Sequence, residues 1–141
     1  MLDALRLSLN ATAVFGFIIY IVVAALLFAL FQFIYTHMTP HKEFQLIRDN
    51  NPAAAIGLGG SLIGFALPAS SIIAYSVSVL DFVVWVVIAA VVQLLAFFAT
   101  SLVLKDLSAR IARGEMAAAI YAASVAISVG FLNSACMTPS A

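Results

Sequence analysis

The chain has 141 residues, of which 65% are hydrophobic and 9% are charged, and its formal net charge at pH 7 is zero. Soluble domains carry about 25% charged residues, so this composition indicates an integral membrane protein. It excludes a general electrostatic attraction to nucleic acid. The single cysteine, Cys136, excludes an internal disulfide and a cysteine-based metal cluster.

The first long apolar stretch covers residues 11–36 and contains no charged residue. It is too long for the apolar core of a signal peptide, roughly 7–15 residues, and no small-residue cleavage pattern follows it. We therefore expect a retained transmembrane helix that is longer than a hydrocarbon core of about 30 Å requires. Its one strongly polar interior residue is Gln32, and residues 1–10 precede it as a mildly amphipathic lead.

A polar connection follows at residues 36–51, where Pro40 breaks the chain and a short helix on the membrane surface is expected. His37 and His41 are four residues apart, a spacing that suits two metal ligands on one helix face. Pro40 lies between them and interrupts a regular turn, and no carboxylate or cysteine stands at a convincing spacing. Two histidines at the membrane interface are therefore the favoured interpretation, and no metal site is expected.

The second transmembrane helix is predicted to begin at Asn51, because asparagine caps helices well and Pro52 suits the first helical position. Pro68 is expected to kink this helix and to free the backbone carbonyl of Gly64. Small residues recur along the helix at a spacing that lets two membrane helices approach closely. This first packing ridge consists of Gly57, Gly60 and Gly64, with Ser61 beside it.

A third helix is predicted over residues 81–104, with Asp81 as its N-terminal cap and Gln93 in its interior. The basic segment at residues 105–114 leads into a fourth helix over residues 115–133. Small residues again recur every four positions along that helix, which predicts close packing. This second packing ridge consists of Ala118, Ala122, Ala126 and Gly130.

The predicted fold is all-α and membrane-integral, with four transmembrane helices arranged as two tandem helical hairpins of the same orientation. The hairpins occupy residues 11–77 and 81–136 of a single membrane domain, residues 1–141. The tetrapeptide AAAI at residues 53–56 recurs at residues 117–120, which favours duplication of one hairpin. Two copies that face the same way disfavour an inverted-repeat transporter.

The basic residues predict the orientation of these helices. All Lys and Arg except Arg6 lie in two connections, at residues 37–51 and 105–114. The positive-inside rule places both connections in the cytoplasm and both chain termini on the other side of the membrane.

Several segments match the pattern of a known family in order and spacing. They are NPAAAIGLGGSLIGFALPAS from residue 51, the Asp81-Phe82 start, VVQLLAF from residue 91, KDLSARIARGEMAAAI from residue 105 and FLNSACM from residue 131. Nearly the whole chain thereby resembles the YjfL-like bacterial inner-membrane proteins, which are described by a duplicated two-helix domain of unknown function, number 350. The resemblance implies a multi-pass protein of a bacterial inner membrane, in which both termini are expected in the periplasm. It carries no activity, cofactor or catalytic residue.

Two functions are weighed for such a protein. We expect a structural or assembly component that packs in the lipid bilayer into a homo-oligomer or with another membrane protein. The two packing ridges support this hypothesis, although both ridges can also be used inside a single four-helix bundle. The alternative is an oligomeric channel or pore for a small solute or ion, with a bend at Pro68. Its uncharged lining would consist of Gln32, Ser61, Gln93 and Asn133.

No enzymatic activity is expected, because the apolar helices contain no paired carboxylates and no nucleophile beside a base. Both histidines lie in one connection, and Cys136 has no charged activator nearby in the sequence. We likewise expect no cofactor, no metal and no nucleic-acid partner.

Overall fold

A computed structural model describes residues 2–138 of the chain, and within them the chain forms seven helices and no strand. The helices are α1 (Leu2–Ser8), α2 (Ala11–Met38), α3 (Glu43–Arg48), α4 (Pro52–Tyr75), α5 (Val79–Val103), α6 (Leu107–Ala112) and α7 (Met116–Cys136). Four of them, α2, α4, α5 and α7, are long and apolar enough to cross a membrane. The predicted all-α membrane fold with four transmembrane helices is confirmed, and the helix order is consistent with two tandem hairpins.

Polar side chains at the helix starts explain where the helices begin. The Asn51 side chain accepts a hydrogen bond from the backbone N–H of Ala54 at 3.1 Å, so the predicted cap of α4 is confirmed. The predicted cap of α5 was one turn late, because Ser78 is the cap and its hydroxyl accepts from the backbone N–H of Asp81 at 3.1 Å. Asp81 lies instead in the first turn, where its carboxylate still meets the positive end of the helix dipole.

The centre of the bundle is a parallel pair of helices, α4 and α7. Near the start of both helices, the Asn51 side-chain nitrogen donates to the backbone carbonyls of Ile111 and Ala112, at 3.2 and 3.1 Å. At the opposite end, the hydroxyls of Ser71 and Ser134 are hydrogen-bonded to each other. The pair is therefore held in one register at both ends.

Small residues let the two backbones touch between these ends. An added Cβ at Gly60 would overlap the Cα of Ala123, and one at Gly64 would overlap the carbonyl of Ala126. A Cβ at Gly130 would in turn lie 2.7 Å from the Cα of Gly64. The first packing ridge therefore faces Ala126 and Gly130 of the second ridge, whereas its contact at Gly60 is Ala123 rather than the predicted Ala122. This close approach brings the van der Waals contacts by which membrane helices associate.

The other ridge residues take different places along the pair. Gly57 is buried, but a Cβ there would only touch the Ile111 side chain at 3.5 Å, which is an ordinary contact. Ala118 is buried in a cluster with Ala53 at the start of α4. Ala122 is half-buried and borders a small polar cavity. Direct backbone contact is thus confined to the middle of the pair.

The two remaining spanning helices pack around this pair to different depths. α5 contacts both α4 and α7, and its Phe82 is fully buried. α2 lies at the periphery against α4 and α5, and along its 28 residues the buried side chains are Phe31 and Tyr35. Phe31 stacks on Phe65 with ring centroids 4.2 Å apart, and Tyr35 meets Phe97 edge-on at 5.2 Å. Aromatic rings, rather than close backbone contact, attach α2 to the bundle.

The turns that precede α4 and α7 have the same backbone structure. Asn50 and Gly114 have positive φ angles of 62° and 83°, and each follows a short helix that ends in a Schellman motif. In the first motif, Asn51 N–H donates to Leu46 O at 2.9 Å and Asn50 N–H donates to Ile47 O at 3.1 Å. In the second, Glu115 N–H donates to Arg110 O at 3.0 Å and Gly114 N–H donates to Ile111 O at 2.9 Å. The two motifs have the same spacing as the AAAI segments at residues 53–56 and 117–120. This agreement is what duplication of a hairpin would produce.

Two arginines close the second of these turns around one carboxylate. Arg110 Nε donates to one oxygen of Glu115 at 2.6 Å, and Arg113 Nη2 donates to the other at 2.9 Å. These hydrogen bonds, with that of Arg110 the larger cause, lower the pKa of the Glu115 carboxyl below its usual value. Because the pKa is lowered in the folded state, the resulting stabilisation is present at neutral pH and is lost as the pH falls through the folded pKa.

Gly59 and Gly60 are adjacent in α4 but face different surroundings, so they form a matched pair of test positions. A Cβ at Gly60 would overlap Ala123, whereas no atom lies within 4 Å of a Cβ at Gly59. Either change to alanine gains similar helix propensity, roughly 1 kcal/mol. We expect Gly60→Ala to have a free energy of unfolding about 1–3 kcal/mol lower than Gly59→Ala, as measured by SDS-induced or thermal unfolding in detergent. Equal stability of the two variants would contradict the packing of α4 on α7.

Candidate functional site

The most deeply buried polar side chain of the spanning helices is the amide of Gln93 in α5, which is 2% exposed. Its Nε2 donates to the backbone carbonyl of Ala126 in α7 at 3.0 Å. The amide reaches α7 by passing over Gly64 of α4, where a Cβ would overlap both Nε2 and the Ala126 carbonyl. One hydrogen bond therefore joins α5 to α7 across a position where α4 has no side chain.

A small cavity lies beside this hydrogen bond. Its volume of about 10 Å³ admits about one water molecule. The polar residues that line it, which we call the polar cluster, are Tyr35, Ser61, Gln93 and Thr100. The Ser61 and Thr100 hydroxyls donate to carbonyls one turn earlier in their own helices, at 3.3 and 2.8 Å, so their lone pairs are left to accept. Gln93 Oε1 has no hydrogen-bond partner within residues 2–138.

The chemistry that the polar cluster can support follows from its groups. Hydroxyl and amide groups bind a molecule of water's size through hydrogen bonds, and a buried water commonly makes about three of them. The hydroxyls of Ser61 and Thr100 donate to backbone carbonyls rather than to a base, so neither is activated as a nucleophile. The cluster is thus suited to holding helices together through polar contacts.

The predicted polar-path residues do not all come together. Ser61 and Gln93 meet in the polar cluster. Gln32 is half-buried on α2, and Asn133 is buried in α7, but neither lines the cavity. The Asn133 Nδ2 has no hydrogen-bond partner in the part of the chain that the structure describes. These side chains therefore occupy separate places in the bundle.

Pro68 is fully buried inside α4, which continues through it as one helix to Tyr75. Proline lacks the N–H that would have bonded to the carbonyl of Gly64. That carbonyl lies against Gly130 of α7, at the place where a Cβ of Gly130 would be. The Cα of Gly130 thus lies beside the Gly64 carbonyl oxygen, which the proline leaves without its helical hydrogen bond, as in a weak Cα–H···O contact.

Two members of the polar cluster, Tyr35 and Thr100, were missed from the sequence. Thr100 follows Gln93 by seven positions, which places both on one face of α5, so a signal was present. Tyr35 had no comparable signal, because nothing in the order of residues along α2 relates it to Ser61 or Gln93. Only the packing of α2 against α4 and α5 shows that Tyr35 borders the same cavity as Ser61.

A buried contact between His41, which lies after α2, and Glu43 at the start of α3 was also missed. His41 Nε2 lies 3.2 Å from a carboxylate oxygen of Glu43, and the two side chains are 7% and 2% exposed. His37 is exposed and the centroid of its ring lies 4.0 Å from that of Phe33, whereas the His41 side chain is buried against Glu43. From the sequence, only partners of His41 on the same helix face were considered. Glu43 follows His41 by two residues, and the two side chains meet because α3 begins at Glu43. Within residues 2–138 no group of three or more potential metal ligands is present.

Comparison with known proteins covers almost the whole chain. The family model named Domain of Unknown Function (DUF350) matches residues 8–137. Two relatives named UPF0719 inner membrane protein YjfL, from Escherichia coli strain K12 and from Escherichia coli O157:H7, are each 38% identical over 123 residues. The alignment covers 87% of this chain and 93% of each relative. No solved structure matches the chain significantly.

Replacement of Gln93 by leucine tests the hydrogen bond that joins α5 to α7. Leucine fills a similar space but cannot donate to the Ala126 carbonyl, so we expect Gln93→Leu to lower the free energy of unfolding by about 0.6–1.7 kcal/mol. Gln32→Leu is the matched control, because this half-buried amide makes no hydrogen bond to another residue within residues 2–138. Unfolding by SDS in mixed micelles measures both. If Gln93→Leu is as stable as Gln32→Leu, the bond does not hold the helices together.

Proposed function

The chain belongs to the DUF350 family, and on that premise we propose that it is a structural or assembly component that packs against a second copy of itself in the bilayer. Its relatives are named inner membrane proteins, and four spanning helices make this chain a multi-pass inner-membrane protein as well. The family description assigns no activity. The proposal therefore rests on the surfaces that this chain leaves free.

The observation that carries the proposal is a line of small residues on the outer face of α4. No atom lies within 4 Å of the place where a Cβ of Gly59 would be. On the same face of α4, Ala55 and Ser70 are exposed and Ala66 is half-buried. We call Gly59 and these three residues the outer line. Ile63, 53% exposed, is a large side chain within it. α7 packs against the first packing ridge, and Ala66 and Ser70 also border a cavity beside Ala24 of α2. Ala55 and Gly59 are therefore the members of the outer line that α4 leaves free for another helix.

An oligomeric channel has less support. Ser61, Gln93 and Asn133 are buried within one copy of the chain, so they do not line a space between copies. The cavity beside Gln93, at about 10 Å³, admits about one water and is too small for a hydrated ion. Across α4, α5 and α7 the one charged side chain is Asp81, which favours a role without catalysis. These observations favour packing as the function of the polar interior.

We also propose that the face formed by α3 and α6 is cytoplasmic and that both termini are periplasmic. Asn51 donates to the carbonyls of Ile111 and Ala112, and these bonds hold the two basic connections side by side. The basic residues of these connections are Lys42, Arg48, Lys105, Arg110 and Arg113. A single face that carries all of them fits the positive-inside rule.

Gly59→Leu tests the outer line, because it fills that surface without changing the packing of α4 on α7. We expect the wild-type chain to be dimeric and Gly59→Leu to be monomeric, as measured by native mass spectrometry of protein released from nanodiscs. Gly16→Leu is the matched control, since a Cβ at this α2 glycine also has no atom within 4 Å but lies outside the outer line. We expect Gly16→Leu to remain dimeric.

Four results would change this proposal. A monomeric wild-type chain, or a dimeric Gly59→Leu variant, would exclude assembly through the outer line. A different membrane protein bound in place of the second copy, and lost in Gly59→Leu, would keep the surface and change the partner. Ion or solute flux across liposomes that requires Gln93 would support the channel instead.

The single cysteine tests the orientation, because Cys136 is exposed at the end of α7. In cells with a permeabilised outer membrane, we expect a membrane-impermeant maleimide to label Cys136 from the periplasm. Lys105→Cys in a Cys136→Ser background is the control, since Lys105 is exposed on the basic face. We expect that variant to be labelled only after the inner membrane is disrupted. The reverse pattern of labelling would place the basic face outside.

A further inference from the structure

An open bowl of about 290 Å³ lies at the end of the bundle opposite the basic connections. α4 and α7 both end at this bowl, and α5 begins beside it. Its lining includes Ile72, Tyr75, Asp81, Trp85, Cys136 and Met137. No member of the polar cluster or of the outer line borders it, so it is a separate site.

The charge of the bowl favours a cation. Among the described residues that line the bowl, Asp81 is the one acidic side chain and none is lysine or arginine. Asp81 Oδ2 accepts from the backbone N–H of Val77 at 3.2 Å, which holds the carboxylate in place. The C-terminal ends of α4 and α7 add the partial negative charge of two helix dipoles, which the positive N-terminal end of α5 offsets in part. The parallel arrangement of α4 and α7 is the reason that both C-terminal ends meet here.

Aromatic rings restrict the kind of cation. Trp85 follows Asp81 by four positions, so both lie on one face of α5, and Tyr75 lines the bowl from the end of α4. Trp and Tyr rings attract organic ammonium groups through their electron-rich faces. A hard metal ion instead needs several oxygen ligands, and Asp81 is the one carboxylate among the lining residues that the structure describes.

From this combination we propose that the bowl binds an ammonium group, carried either by a small soluble amine or by the headgroup of an aminophospholipid. The Asp81 carboxylate supplies the counter-charge, the rings of Trp85 and Tyr75 contact the ammonium substituents, and Ile72 and Met137 contribute apolar surface. The site lies where α5 begins and α4 ends, which is the level at which a lipid headgroup meets protein. This proposal does not depend on the proposed assembly through α4.

Trp85 is the one tryptophan of the chain, so tryptophan fluorescence reports directly on the bowl. We expect choline and ethanolamine to change the fluorescence of the full-length protein in non-ionic detergent, with saturation. Sodium chloride at equal ionic strength and 3,3-dimethyl-1-butanol, the uncharged analogue of choline, are expected to have no such effect. Saturable binding of the uncharged analogue with equal affinity would show an apolar pocket and overturn the proposal.

Substitution of the carboxylate gives the second test. Asp81→Asn keeps the size of the side chain and is expected to weaken choline binding by about tenfold, whereas Asp106→Asn, on the opposite face, is expected to leave it unchanged. If Asp81→Asn fails to fold, Tyr75→Leu tests the site instead and is expected to weaken choline binding. Tyr75 is exposed and its side chain caps no helix, so this change is expected to leave the fold intact. Choline binding equal to that of the wild type in the folded variant would overturn the proposal.

Nanodiscs distinguish the two sources of the ammonium group. If the ligand is a lipid headgroup, phosphatidylethanolamine nanodiscs are expected to shift Trp85 emission and to block added choline, whereas phosphatidylglycerol nanodiscs do neither. If the ligand is a soluble amine, choline is expected to bind equally in both kinds of nanodisc. Absence of choline binding in phosphatidylglycerol nanodiscs and in detergent would overturn the proposal for either source.

Discussion

The bundle depends on the contact between the α4 and α7 backbones, which the missing side chains of Gly60, Gly64 and Gly130 allow. In lipid, an apolar side chain gains little by moving from acyl chains to protein, so close packing and hydrogen bonds must hold the helices together. The polar interior follows from this contact. Because α7 approaches so closely over Gly64, the amide of Gln93 can reach the carbonyl of Ala126 from α5.

The parallel direction of α4 and α7 also gives the molecule two unlike ends. Both N-terminal ends lie beside the basic connections, and both C-terminal ends lie beside the acidic bowl at Asp81. The same pairing separates the two faces of α4. Its inner face packs against α7, and on its outer face no atom lies within 4 Å of the place where a Cβ of Gly59 would be. The proposed assembly and the proposed ligand binding therefore use surfaces that the central pair does not occupy.

The sequence was sufficient for the four spans, the Asn51 cap and the membrane class, because each depends on local composition or spacing. It was not sufficient to say which ridge meets which, because a GxxxG pattern has the same form whether its partner is in the same chain or in another. Gly59 and Gly60 are neighbours in sequence, and only their surroundings distinguish a packed glycine from an open one. The pairing of His41 with Glu43 likewise needed the geometry of a turn.

The glycine contacts also limit how the molecule can move. α4 and α7 belong to different predicted hairpins, and turning α7 by one residue about its axis, about 100°, would bring Val129 or Phe131 against the Gly64 backbone. Rotation of α7 against α4 would therefore begin with a steric clash. The ring contacts that attach α2, such as that between Phe31 and Phe65, do not impose this backbone constraint.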